Sequence, residues 1–472
     1  MEPVHVERFY LGCLAHASYM VGSQGVAAVI DPQRDVEIYL ETAESKGWKI
    51  EHIVETHLHA DFVSGHAELA RRTGAQIYLG AGSGAEFPHV AVEDGDSIHF
   101  GQCSMRFMQT PGHTVESICA VMRDAGNPSR PMEVFTGDTL FVGDVGRPDL
   151  SGTMTPQQLA ALLFESLHSK LLTLPDDTLI YPAHGAGSLC GRQMSSESFS
   201  TVGRQKETNY ALKAKTCEEF VHLLTDNLSA APAYFAQDVD LNRRGASPLS
   251  EMTEMAALTA DDVLRLQDKG AIVVDTRGTI EFASGHVPGS VHISLAGQYA
   301  SWAARILGLG NTIVIVGDDQ EHVIESRMRL ARVGIEKVAG YLKDGVIGWA
   351  EAGLKLDPLP QITVNDLHEL STTEPQTVAV LDVREAAERE SGAIEGSTWI
   401  PLGKLESILE TETDGLDHNR LIVVQCRSGY RSSIATSLLR RAGFPRVANL
   451  TGGFDAWMAA GLPCAVPVTV AA

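Results

Sequence analysis

Short apolar runs, each closed by a Gly-, Pro- or Asp-marked break, fill the first half of the chain. Tyr19-Met20-Val21 and Val26-Ala27-Ala28-Val29-Ile30 flank a turn from Gly22 to Gly25, the pattern of a β-hairpin. Ile50-Glu51-His52-Ile53-Val54 predicts another strand, and the amphipathic stretch from Ala67 to Arg72 predicts a helix. Further strands are predicted at Ile77–Leu79, Ser97–Phe100, Met105–Met108, Ile118–Met122, Val134–Thr136 and Thr178–Tyr181. Strands and helices therefore alternate over residues 1–245, which points to an α/β domain. From Asn227 to Ser250 the pattern turns irregular, with Ala231-Pro232 and Arg243-Arg244-Gly245 reading as an ordered connector.

Several predicted strands end in a residue able to bind a metal. Between the strand at 50–54 and the helix at 67–72 runs Thr56-His57-Leu58-His59-Ala60-Asp61-Phe62. Two imidazoles and a carboxylate at alternate positions of one loop suit a borderline divalent cation. Thr110-Pro111-Gly112-His113-Thr114 supplies His113, Thr136-Gly137-Asp138 supplies Asp138, and Pro182-Ala183-His184-Gly185 supplies His184. Four such loops in order can meet on one rim of a sheet sandwich.

These motifs together resemble the metallo-β-lactamase superfamily, whose fold is an αββα sandwich. Within it, Gly143-Asp144-Val145-Gly146-Arg147-Pro148-Asp149 and Thr216-Cys217-Glu218-Glu219-Phe220-Val221 resemble the persulfide dioxygenases, relatives of glyoxalase II. The resemblance implies one Fe(II) per chain, held by His57, His113 and Asp138, with His59, Asp61 and His184 orienting water and ligands around it. Binuclear hydrolases of the superfamily carry a second His after the loop Asp. Phe62 stands there instead and cannot ligate, so a single metal is expected, with a zinc thioester hydrolase of glyoxalase II type as the alternative. Arg147 and Asp149 are expected to shape a pocket for a thiol-bearing substrate. Gly185-Ala186-Gly187-Ser188-Leu189-Cys190 departs from the stand-alone dioxygenases, which makes Cys190 a candidate pocket residue and leaves the thiol carrier open; a buried structural cysteine is the other reading.

The second half repeats itself. Asp275-Thr276-Arg277, Glu281, Gly285, Gly289, Ser290 and Ile293 return as Asp382-Val383-Arg384, Glu388, Gly392, Gly396, Ser397 and Ile400 at one constant offset. Two homologous α/β domains are expected at 250–356 and 360–472, joined near Leu356-Asp357-Pro358-Leu359-Pro360. In the second copy the strand Leu421–Val424 leads into Cys426-Arg427-Ser428-Gly429-Tyr430-Arg431 and then a helical run. A Cys opening a loop of inward amides, at a helix N-terminus and beside two arginines, should be an activated thiolate able to hold an anionic sulfur group. The Cys-x4-Arg loop, one residue shorter than that of tyrosine phosphatases, resembles rhodanese, as do the flanking Asp382-Val383-Arg384-Glu385 and Leu450-Thr451-Gly452-Gly453-Phe454-Asp455-Ala456-Trp457. The whole loop, Cys426 to Arg431, is assigned to catalysis. In the first copy the nucleophile's place holds Gly317, followed by Asp318-Asp319-Gln320-Glu321, so that copy is expected to be inactive.

Composition narrows the setting. A chain of 472 residues exceeds one core and suits about three domains. A formal charge of −23 disfavours nucleic acid and anionic membranes as partners. The N-terminus does not read as a signal peptide, and no apolar run approaches the roughly 20 residues of a membrane span. Seven unpaired-looking cysteines suit a reducing compartment, hence a cytoplasmic protein, and a homo-oligomer is expected. The expected chemistry is oxidation of a small-molecule thiol persulfide by O2 to sulfite, coupled to sulfite/thiosulfate interconversion through a persulfide on Cys426.

Overall fold

The computed structural model describes residues 4–226, 228–252, 254–411 and 416–465. It divides into two compact units, over residues 4–252 and over most of 254–465.

Among the described residues, the first unit holds two six-stranded sheets. One runs in sequence order through His5–Leu11, His16–Ser23, Val26–Ile30, Lys49–Val54, Gln76–Gly80 and Val90–Val92. The other is ordered Ser200–Thr201, Leu179–Pro182, Glu133–Gly137, Ile118–Asp124, Cys103–Gln109 and Ser97–Phe100. Because side chains alternate along a strand, each central strand feeds two cores at once. Tyr19, Val21, Ala28 and Ile30 meet Met105, Phe107, Ala120 and Phe135 between the sheets. Met20, Ala27, Val29 and Ile53 instead pack outward with Tyr39, Ala43 and Leu69 of the helices Glu37–Lys46 and His66–Thr73. On the far side, Cys119, Val121 and Val134 pack against Leu163, Leu167 and Phe220 of the helices Pro156–Ser169 and Cys217–Thr225. The layers are αββα, as expected.

The stretch read as a connector contains more than a connector. Phe235–Arg244 is a helix, and it clamps the loop Thr56–Phe62. The Asn242 amide donates to the His59 and Phe62 carbonyls (2.7 and 2.8 Å), and its oxygen accepts from the Ser64 N–H (2.8 Å). The polar face of this helix concealed it: Asp238 and Asn242 are buried polar residues, so no apolar period stood out. Removing the clamp with Asn242→Ala leaves two carbonyls and an N–H unpaired in a buried site. The expected cost is about 2–4 kcal/mol, read by urea unfolding, with weaker metal retention measured alongside.

The second unit holds two five-stranded, all-parallel sheets of the same order among the described residues. Ala256–Leu258, Val338–Leu342, Ile313–Val316, Ile272–Asp275 and Val291–His292 form one; Gln361–Ile362, Val447–Leu450, Leu421–Gln425, Val378–Asp382 and Thr398–Trp399 form the other. The repeated Asp-x-Arg is a buried brace in both copies. Arg277 grips Asp275 (2.6 Å) and donates to the Gly285 carbonyl (2.9 Å). Arg384 grips Asp382 (2.8 Å) and donates to the Gly392 carbonyl (2.8 Å). The brace ties a strand end to the turn after the next helix, so Asp, Arg and Gly recur in register for structural reasons. No helix among the described residues is long and apolar enough to cross a membrane.

Candidate functional site

The four ligand-bearing loops of the first unit converge. Each leaves the end of a strand, and two glycines let them approach. Gly137 has φ +51°, and a Cβ there would lie 2.4 Å from Thr56 Oγ1. At Gly146 a Cβ would lie 2.1 Å from the Asp138 carbonyl oxygen and 2.7 Å from His113 Nδ1. Neither position tolerates a side chain without displacing the site.

His57, His113 and Asp138 are buried, with one ligand atom of each inside a 4.8 Å group. Asp138 Oδ2 lies 3.7 Å from His57 Nε2 and 3.4 Å from His113 Nε2. The surrounding hydrogen bonds set both tautomers. Thr56 Oγ1 donates to Asp31 Oδ2 (2.9 Å) and therefore accepts from His57 Nδ1 (3.0 Å). The Arg147 carbonyl can only accept, so His113 Nδ1 carries the proton on that 2.9 Å bond. Both rings thus turn an Nε2 lone pair toward the same carboxylate oxygen, and burial lowers both pKa values, which keeps the rings neutral. His113 Nε2 and Asp138 Oδ2 have no hydrogen-bond partner. Lone pairs facing a carboxylate in a dry site repel one another, and a divalent cation removes that conflict. The donor set fits the implied metal.

The three surrounding groups differ in what they touch. His59 directs Nε2 to Asp31 (3.2 Å) and Glu55 (3.4 Å). Burial opposes its charge, but those two carboxylates prevail and raise its pKa to about 10. His184 donates from Nδ1 to Asp138 Oδ1 (2.7 Å), and its Nε2 lies 3.0 Å from Asp61 Oδ2. Here too burial is outweighed, by Asp138 and Asp61, and the pKa rises. Phe62 is fully buried, its ring 4.1 Å from that of His16 and 4.4 Å from that of His59. His16, from the strand His16–Ser23, escaped the sequence reading because it sits in no motif.

Arg147 makes a two-pronged pair with Asp149 (2.6 and 2.7 Å) and donates to the carbonyls of Ser229 (2.6 Å) and Leu189 (3.2 Å). Its N–H donates to the Cys190 carbonyl (3.0 Å), so one residue holds His113, Asp149 and the Cys190 turn together. Cys190 is buried with its sulfur near Asp61 and His184, and burial raises its thiol pKa. Beside the loop, a cavity of about 500 Å³ is lined by Ala60, Asp149, Leu150, Ala231, Pro232 and Phe235. Three of those residues, Ala231, Pro232 and Phe235, come from the stretch first read as a connector.

In the second unit Cys426 closes the strand Leu421–Gln425 and precedes the helix Tyr430–Arg441. Its sulfur accepts from the Gly429 N–H (3.1 Å) and the Ser432 hydroxyl (3.4 Å). Arg431 pairs in fork geometry with Glu388 (2.6 Å on both prongs), Arg427 reaches Asp455 (3.2 Å), and Ser428 is exposed on the loop. Tyr430 leaves the cradle: its hydroxyl donates to the Ser294 carbonyl of the first copy (3.0 Å). That copy also holds the helix by its middle. His292 Nε2 donates to the Arg277 carbonyl (2.9 Å), so its Nδ1 accepts from Ser433 Oγ (2.7 Å). At Gly317 a Cβ would lie 2.9 Å from Val323 Cγ2, so a side chain there requires Val323 to shift.

Similarities to other proteins agree with both units. Residues 11–184 match the metallo-beta-lactamase superfamily, and residues 259–352 and 363–460 each match the rhodanese-like domain. The human mitochondrial persulfide dioxygenase ETHE1 is 33% identical over 215 residues, 44% of this chain and 75% of that protein. A hydroxyacylglutathione hydrolase of Rhodospirillum rubrum is 31% identical over 245 residues, 50% of this chain and 84% of that protein. A crystal structure of a metallo-beta-lactamase from Staphylococcus aureus is 30% identical with a TM-score of 0.67, covering 72% of this chain and 99% of that one. The chain belongs to the metallo-β-lactamase superfamily, in the branch of the persulfide dioxygenases and hydroxyacylglutathione hydrolases, and carries two rhodanese-like domains after that domain.

Proposed function

We propose that this chain oxidises the persulfide of a small thiol with O2 and passes sulfane sulfur through Cys426. The supporting observation is the two-imidazole, one-carboxylate face of His57, His113 and Asp138, in which His113 Nε2 and Asp138 Oδ2 have no hydrogen-bond partner. Fe(II) suits that face, and when bound it supplies the redox chemistry that joins dioxygen to sulfur. The overall balance is RS–SH + O2 + H2O giving RSH and sulfurous acid, with the outer sulfur giving up four electrons to O2. Thr56 and the Arg147 carbonyl keep the two imidazoles oriented throughout. The cavity beside Ala60 seats the thiol carrier, with Asp149, held by Arg147, on its wall. His184 and Asp61 hold a proton next to the reacting sulfur and hand it to the departing thiolate.

At the second centre the Cys426 thiolate attacks the outer sulfur of a persulfide and releases RS⁻. The resulting Cys426 persulfide gives its outer sulfur to sulfite, forming thiosulfate and restoring the thiolate. Backbone N–H groups of the loop and the Arg431 side chain favour the anions that enter and leave. The two reactions follow in order, since sulfite from the first is the acceptor in the second.

The similarity to a hydroxyacylglutathione hydrolase favours a second reading, a zinc thioester hydrolase fused to a sulfurtransferase. Metal analysis separates the two. Protein prepared without oxygen and without added metal is expected to hold one iron per chain and to consume O2 with a small-molecule persulfide. Two retained zinc ions per chain, with thioester cleavage and no oxygen uptake, would establish the hydrolase instead.

A further inference from the structure

The first copy of the repeat carries Gly317 where the second carries Cys426, yet it grips the helix that follows the Cys426 loop. Two residues stand at one register of the repeat. His292 is the strand neighbour of Asp275, and Trp399 is the strand neighbour of Asp382. Both give an N–H to the carbonyl of the brace arginine: His292 Nε2 to Arg277 (2.9 Å) and Trp399 Nε1 to Arg384 (2.9 Å). An indole has no second nitrogen, so its hydrogen bonding ends there. An imidazole has Nδ1 left over, and with Nε2 protonated in a neutral ring that atom accepts. It accepts from the Ser433 hydroxyl of the second copy (2.7 Å). Burial lowers the His292 pKa and keeps the ring neutral. Stacking on Phe282, with 4.4 Å between ring centroids, fixes its plane.

Ser433 lies in the first turn of the helix, next to the groups that hold the sulfur. Its N–H donates to the Gly429 carbonyl (3.2 Å), while the Gly429 N–H and the adjacent Ser432 hydroxyl donate to Cys426 Sγ. Two more contacts hold the same helix. The His292 N–H donates to Ser437 Oγ (3.0 Å), and the Tyr430 hydroxyl donates to the Ser294 carbonyl (3.0 Å). The Tyr430 ring fits because residue 297 is glycine; a Cβ there would lie 2.6 Å from it. The arrangement is not reciprocated, since the first copy has exposed Ile324 at the register of Ser433 and no hydroxyl to offer. We propose that His292 is a positioning residue for Cys426. Through Ser433 it fixes the turn whose N–H and hydroxyl groups stabilise the thiolate, so the copy without a nucleophile sets the reactivity of the copy that has one. The inference rests on the reading of Cys426 as the sulfur carrier.

The test compares the full-length parent with His292→Gln, His292→Asn and Ser433→Ala. Glutamine puts an N–H near the Nε2 position and leaves Ser433 without its acceptor. Asparagine puts an oxygen near the Nδ1 position and keeps that acceptor. The readouts are kcat and KM for sulfur transfer from thiosulfate to a thiol, the rate of Cys426 alkylation by iodoacetamide followed on its peptide by mass, and Tm. In His292→Gln and Ser433→Ala, kcat is expected to fall about tenfold or more with KM little changed. Alkylation should slow about threefold or more, because the thiolate loses aligned donors. His292→Asn should retain both rates, and combining His292→Gln with Ser433→Ala should lose no more than either alone. Parent rates in His292→Gln and Ser433→Ala would overturn the proposal. Faster alkylation with a lowered Tm in every variant would overturn it too, since Cys426 is buried and mere loosening exposes it. If His292→Gln does not fold, Ser433→Ala decides alone. Alkylation needs no transfer activity, so a parent that moves no sulfur would defeat the carrier reading separately and leave the positioning role tested.

Discussion

Cys426→Ser should abolish sulfur transfer between thiosulfate and a thiol, by about a thousandfold or more, while leaving persulfide-dependent oxygen uptake roughly within twofold of the parent. The substitution removes the sulfur that accepts from Gly429 and Ser432 and touches nothing near His57, His113 or Asp138. His113→Ala should do the reverse. Losing one of three donors lowers iron affinity by about a hundredfold or more, and oxygen uptake goes with it, while Cys426 stays in its loop. The products sharpen the comparison. Supplied with a persulfide and O2, the Cys426 variant should accumulate sulfite where the parent makes thiosulfate. Thiosulfate at the parent rate, after subtracting the uncatalysed reaction, would show that Cys426 is not the carrier. Loss of oxygen uptake in the same variant would show that the centres do not act independently.

The second large effect is expected at Arg147. Its guanidinium is largely buried, pairs with Asp149 on two prongs and ties down the Ser229 and Leu189 carbonyls. Arg147→Ala leaves the Asp149 carboxylate and two carbonyls without their donor. Breaking a buried pair in this way costs about 3–5 kcal/mol, much of it the stranded charge. Arg147→Lys keeps the charge but cannot reproduce the fork, so it should recover only part of the loss. The kinetic signature separates a pocket wall from a mere brace. In the lysine variant KM for the persulfide should rise more than kcat falls, because Asp149 lines the cavity while the Arg147 carbonyl still holds His113. Transfer at Cys426 should be unaffected. An unchanged KM in a folded Arg147→Lys protein would remove Arg147 and Asp149 from the substrate pocket.

Much of this molecule was legible in one dimension. A ligand needs a particular residue type at a strand end, and alternating apolar runs mark strand ends. His57, His113, Asp138 and His184 could therefore be picked out in order, and the structure brings their loops together. The repeat was legible because a buried Asp–Arg–Gly brace admits few substitutes, so its residues recur at a fixed spacing. The Cys426 loop was legible because an amide cradle is local, all within six residues.

Interactions that join distant parts of the chain were decided only by the tertiary structure. Asn242 clamps a loop some 180 residues earlier; nothing in its own neighbourhood marks it, and the helix that carries it read as a connector because buried polar residues interrupt its pattern. The tautomers of His57 and His113 depend on a hydroxyl and a carbonyl that any residue order could have placed elsewhere. Tyr430 belongs to the Cys426 loop by sequence, yet its side chain is spent on Ser294 in the first copy. Cys190 read as a pocket thiol or a packing residue. Its meeting with Asp61 and His184 is a matter of where one Gly-rich turn folds back, and hydrophobic periodicity carries no information about that.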